Sequence, residues 1–113
     1  MKLDDYQKQA MESIAIKDAG IAALAHRILG LSGESGILAN RIKKIIRDSD
    51  GRLSQADQQF IKEKLGDALY YISALADYVG LSLSDVASNN LEKSNQFKLK
   101  SNQERDQDRN EIR

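Results

Sequence analysis

The sequence predicts an all-α protein, and three observations carry that. There is no proline in its 113 residues, so nothing forbids long uninterrupted helices. Apolar residues recur at steps of three and four between recognisable caps. No run alternates apolar and polar residues with the Val, Thr and Tyr content of a strand.

The first helix is predicted from Asp4 or Asp5 to Ile16, with Tyr6, Ala10 and Ile14 on one face, and residues 17–20 break it. A longer helix follows from Ile21 to Arg47. Along it Leu24, Ile28, Leu31, Ser35, Leu38, Ile42 and Ile45 step by four and three, a heptad-like seam with one serine. Gly30, Gly33 and Gly36 lie inside this helix, each costing about 1 kcal/mol relative to alanine. They point to tight packing or a ligand, with a loop or kink near Ser32–Gly33 as the alternative. Asp48-Ser49-Asp50-Gly51 is a turn, and Ser54 and Asp57 have the capping-box spacing. The third helix then carries Ile61, Leu65, Leu69, Ile72, Ala76 and Val79 on one face and stops at Gly80. Ser82 and Asp85 repeat the cap pattern and open a fourth helix through Val86 and Leu91 to Lys93. This assigns residues 1–97 to one helical domain. Residues 98–113 are polar and mixed in charge, a frayed helix or a disordered tail.

Composition narrows the function. Seventeen basic and seventeen acidic residues balance, which argues against a nucleic acid polymer or an anionic membrane as partner. No apolar stretch approaches the roughly 20 residues that span a bilayer, and MKLDDYQKQ is too polar for a signal peptide. The absence of cysteine excludes disulfide and thiolate chemistry and fits a cytoplasmic location.

The second and third helices also carry a stripe that is neither plainly core nor plainly surface. It is Glu34, Ile37, Arg41 and Lys44 on one, and Phe60, Lys64, Asp67, Tyr71 and Ala74 on the other. Carboxylates flanked by apolar residues at this spacing are how a helical bundle presents ligands to an interior metal.

With these residues in view, LGLSGESGILANRIKKIIRD and EKLGDALYYISALADYVGLSLSDVASNNLEK resemble the MazG-like nucleoside triphosphate pyrophosphohydrolases. The likeness runs from Tyr6-Gln7 to Lys93. It implies a four-helix MazG-like bundle completed by self-association, as a dimer or a dimer of dimers. It also implies Mg²⁺-dependent cleavage of a nucleoside triphosphate to monophosphate and pyrophosphate, as house-cleaning of surplus or non-standard nucleotides. The signature of the family is Glu-x-x-Glu on one helix and Glu-x-x-Asp on the next. Positions three apart share a helix face, so four carboxylates converge on a hard cation that wants oxygen ligands at about 2.0–2.1 Å.

Carried over residue by residue, the resemblance makes Glu34 and Asp67 the catalytic and metal-ligating carboxylates. The other two positions hold Ile37 and Lys64. Glu63 does not replace the latter, since it points about 100° away around the helix. Summed side-chain charge at the four positions goes from minus four in the family pattern to minus one here. Lys64 stands one turn from Asp67 and within reach of Glu34, so it is predicted to take much of the electrostatic role of the metal and to impair hydrolysis. Lys44, Asn90 and Lys93 are the implied phosphate-binding groups and Tyr71 an implied pocket wall, while His26 is predicted to be a packed or interfacial histidine. The alternative function is a catalytically silent bundle that binds nucleotide or a partner subunit.

Overall fold

A computed structural model of the chain describes residues 1–14 and 20–112, and it is an all-α bundle of four helices. The predicted end of the first helix at Ile16 and the break over residues 17–19 lie outside the described residues.

Helix α1 spans Leu3–Glu12. Its start is fixed by Asp5, whose Oδ2 accepts from the Lys2 N–H at 3.1 Å, a carboxylate satisfying an orphan donor of the first turn. Helix α2 spans Ile21–Ser49 and passes through Ser32–Gly33 without a break, so no loop interrupts it at the glycines. It ends where Asp50 and Gly51 enter the left-handed region, at φ 53° and 80°, letting the Gly51 N–H return to the Ile45 carbonyl.

Helix α3, Gln55–Tyr78, starts with the capping box read from the sequence. The Ser54 Oγ accepts from the Asp57 N–H, and Asp57 Oδ2 accepts from the Ser54 N–H, both at 3.0 Å. Gly80, at φ 78°, reverses the chain into α4. Helix α4 spans Leu83–Ile112. Of the two readings of the polar tail, a frayed helix or a disordered segment, the chain takes the helical one, through Ile112. Proline and glycine are absent from residues 83–112, so no local stop signal opposes propagation.

Helix α3 is the hub. α2, α1 and α4 all pack on it, and among the described residues α2 packs on no other helix. The buried apolar positions are mostly small: Ala10, Ala23, Ala74 and Ala76, with Ile14, Ile45 and Leu83. α1 is tied to the α3–α4 corner by Gln7, a buried amide. Its Nε2 donates to the Leu81 carbonyl at 3.0 Å and the Ser73 carbonyl at 3.3 Å, and its Oε1 accepts from the Leu83 N–H at 3.0 Å. Asp4 Oδ1 accepts from the Ser84 N–H at 2.9 Å, so α1 also supplies a cap for α4.

The seams predicted to be core are only partly inside. Ile28 on α2, and Leu65, Ile72 and Val79 on α3, are 38% to 56% exposed, whereas Ile45 is buried. The reason lies in the register of the α2–α3 pair. Arg27, Glu34 and Arg41 on α2 bond to Ala74, Lys64 and Asp57 on α3, which makes the pair antiparallel. Each exposed apolar residue follows a facing one by a single position, about 100° around its helix. The accessible surface is 8680 Å², against roughly 6,200 Å² for a folded monomer of this mass. The radius of gyration is 19.4 Å, against about 13 Å for a compact chain of this length.

Candidate functional site

The α2–α3 interface is lined by a ladder of charges with an aromatic ring in it. Lys64 Nζ donates to Glu34 Oε2 at 2.9 Å across the interface and to Asp67 Oδ2 at 3.4 Å one turn along α3. Glu34 and Lys64 side chains are each 21% exposed. One turn toward the hairpin tip, Phe60 lies between two cations, with the Arg41 guanidinium 4.7 Å and the Lys64 ammonium 5.8 Å from its ring centroid. Arg41 in turn donates from Nε and Nη2 to Asp57 Oδ1 at 3.1 and 2.9 Å. Asp57 therefore serves twice, in the α3 cap and as the partner of Arg41.

These contacts set the protonation equilibria. The hydrogen bond to Glu34 outweighs desolvation and holds the Lys64 pKa above the ordinary lysine range, with Asp67 adding to it. The Ser54 N–H, followed by Arg41, holds the Asp57 carboxyl below the usual carboxylate range. Tyr6 on α1 is raised by burial, then by Tyr70 and Asp67, which places α1 beside the outer end of the ladder.

Of the residues singled out from sequence, Glu34 and Asp67 are brought together, and they converge on one point. That point is the Lys64 ammonium. The donor set does not fit Mg²⁺: two carboxylates already hold a cationic side chain, and Ile37 offers no lone pair and is 48% exposed. Among the described residues, no three or more His, Cys, Asp or Glu side chains gather where they could hold a metal ion.

The other candidates lie elsewhere. Lys44 lines a shallow groove with Arg41, Ile45, Asp48, Ser49 and Asp57. Asn90 and Lys93 are exposed on α4 beside Ser94, Phe97 and Lys98, and α4 does not pack on α2. Within one chain they are not assembled with Glu34 and Asp67. Tyr71 is a packing residue between α2 and α3. A Cβ on Gly30 would fall inside its ring, and it meets His26 and Tyr70 edge-on at 5.9 and 5.4 Å. Gly30 thus answers to close packing, whereas Gly33 and Gly36 face open space.

Two residues went unnoticed in the sequence. Gln7 shares the Ala10–Ile14 face at helical spacing, so a polar residue on a buried stripe was the available signal. Arg27 is buried, donates to the Ala74 carbonyl at 2.6 Å, and lies 5.5 Å from the Tyr78 ring centroid and 3.7 Å from Asp77. No spacing rule predicts that side-chain-to-backbone contact.

Fold and site together define an all-α bundle whose paired carboxylates are bridged by a lysine. Comparison with known proteins gives the family. The chain is 37% identical over 97 residues to the Gene 37 protein of Mycobacterium phage L5, covering 82% of this chain and 85% of the relative. The chain belongs to the family of that phage protein. No protein-family model matches it, and no solved structure does.

Proposed function

We propose that this chain is a MazG-like nucleotide pyrophosphohydrolase homologue in which Lys64 replaces the divalent cation. It recognises nucleoside triphosphate while its hydrolytic activity is severely impaired. The observation that carries this is the convergence of Glu34 and Asp67 on Lys64 Nζ, at 2.9 and 3.4 Å. Two carboxylates on facing helices aimed at one point support the likeness to a carboxylate-bundle metal site. An ammonium at that point opposes entry of Mg²⁺, by like-charge repulsion and by occupying the lone pairs the metal needs.

The phosphate-binding set of Lys44, Asn90, Lys93 and Tyr71 is carried by the resemblance alone. Separation of α4 from α2 within one chain makes self-association a requirement of that set. A cytoplasmic nucleotide pool is the setting this reading implies.

The test is a paired assay of the wild type and the Ile37→Glu/Lys64→Glu double mutant, with circular dichroism to check that both are helical. Wild-type protein is expected to release no pyrophosphate from any deoxynucleoside triphosphate with Mg²⁺, and to bind nucleotide in calorimetry with no dependence on Mg²⁺. The double mutant is expected to gain Mg²⁺-dependent release. Vigorous release by the wild type overturns the reading of Lys64, and a helical double mutant that stays inert overturns the placement of the motif.

A further inference from the structure

Beyond Ala87, α4 is a free arm. From residue 88 to residue 109 every position but Ser101 is exposed, a rod about 33 Å long with no continuous apolar stripe. Its charges are nevertheless sorted. At about 100° per residue, Lys98, Arg105 and Arg109 share one arc of about 120° centred on Lys98, with Ser94, Ser101 and Asn102 among them. No aspartate or glutamate of α4 falls inside that arc. The nearest, Asp106 and Asp108, stand about 80° from its centre, one on each side. Arg109 Nη2 lies 3.4 Å from Asp106 Oδ1, but both side chains are at least 70% exposed, so another anion displaces that partner at little cost. The equal numbers of basic and acidic residues in the whole chain average this sorting away.

We propose that this face of α4 docks on the phosphate backbone of duplex DNA. Positions 98, 105 and 109 are about 10 and 6 Å apart along the helix axis, so three phosphates are met from one side. The hydroxyls and amide of Ser94, Ser101 and Asn102 are donors of the kind that bond phosphate oxygens. The acids on the far side set the mode. A helix sunk in the major groove brings them between two walls of phosphate, whereas docking along one strand turns them to water. Other polyanions fit less well. Single strands are held by stacking on aromatic rings, and duplex RNA through 2′-hydroxyls across its minor groove; the arc carries no aromatic residue and meets one strand from outside. An anionic membrane takes a helix with one apolar face, and Phe97 and Leu99 lie about 160° apart. An acidic protein surface calls for apolar and aromatic anchors, and between residues 88 and 109 the arc holds only Leu91.

The face uses none of Lys44, Asn90 and Lys93, so this inference goes beyond nucleotide recognition and does not rest on it. The test is fluorescence anisotropy of a short fluorescein-labelled DNA duplex, titrated with the full chain up to about 100 µM in about 20 to 200 mM salt. Three phosphates at about 0.9 each predict that log K falls against log salt with a slope of about −2.7. Lys98→Glu and Arg105→Glu should each weaken binding about tenfold or more at low salt and bring the slope to about −1.8. Lys100→Glu makes the same charge change two residues on, about 160° around the helix, and should alter affinity by less than about threefold. Circular dichroism should show all three variants as helical as the wild type; if one is not, the glutamine variant at that position takes its place. Undetectable binding by the wild type, equal losses from Lys98→Glu and Lys100→Glu, or binding to duplex RNA or phosphatidylserine vesicles with none to the DNA would each overturn the proposal.

Discussion

Replacing Gln7 by leucine removes a buried amide while nearly preserving its volume, so the loss is one of hydrogen bonds rather than of packing. Three bonds go, but their partners differ. Ser73 lies within α3, where a carbonyl has its helical partner regardless. The Leu81 carbonyl sits in the turn after Gly80, and the Leu83 N–H belongs to the first turn of α4, where no helical acceptor exists. Two stranded groups at about 1–3 kcal/mol each give a loss of about 2–6 kcal/mol. For a chain of this size that lowers the melting temperature by about 10–30 °C. The assay is thermal unfolding followed by circular dichroism, with wild type and variant at one fixed concentration. Gln7→Glu sharpens the test through pH. A carboxylate there keeps the acceptor for Leu83 but faces the Leu81 carbonyl without a proton, so its folded-state pKa rises above its unfolded value of about 4.3. The loss is then complete above the raised pKa and shrinks as pH falls, when the protonated acid donates to Leu81. A leucine variant melting within about 3 °C of the wild type, or a glutamate variant with no recovery in acid, refutes the account of the clamp.

The three helical glycines should part company on substitution. Gly30→Ala meets the Tyr71 ring and should destabilise by about 1–3 kcal/mol. Gly33→Ala and Gly36→Ala face open space and should each stabilise by up to about 1 kcal/mol in urea unfolding; a loss at either would place an unseen close neighbour there. The ladder should be sensitive at both ends of the pH scale. Lys64, raised in the folded state, contributes stability that is complete below its unfolded pKa of about 10.4 and vanishes as pH rises through the folded value. Asp57, depressed, contributes above its unfolded pKa of about 3.9 and loses that contribution as pH falls through the folded value. In melting curves against pH, Lys64→Met should flatten the alkaline limb and Asp57→Asn the acid limb, and an unchanged limb in either variant contradicts the corresponding contact.

Helix identity was legible because it rests on local signals: the Ser54–Asp57 box, the Gly80 stop and the Ser82 cap all lie where the residues put them. Pairing of Lys64 with Glu34 was legible too, since helical spacing and opposite charge suffice to suggest it. Which stripe turns inward was not. On α2 both the Glu34–Arg41 line and the Leu24–Ile42 seam have helical periodicity, and periodicity alone favoured the apolar one as core. Both lines share the burial: Ile45 is buried and Leu24, Leu31, Leu38 and Ile42 half-buried, while Arg41 and Lys64 find carboxylates and a phenyl face that offset their desolvation. Gln7 was hidden for a different reason. Its partners are backbone groups of α3, α4 and the turn between them, more than sixty residues away, and no sequence pattern announces such a meeting.

That long reach fixes an order of assembly. Hydrogen bonds between α2 and α3 join residues 16 to 47 apart, whereas every hydrogen bond from α1 to the α3–α4 corner spans 66 to 80. Distant pairings form late because their loops close at greater entropic cost. On a ribosome, then, α1 emerges before the other three helices described and is the last of them to be placed, and it has no seat until Leu83 and Ser84 have left the exit tunnel.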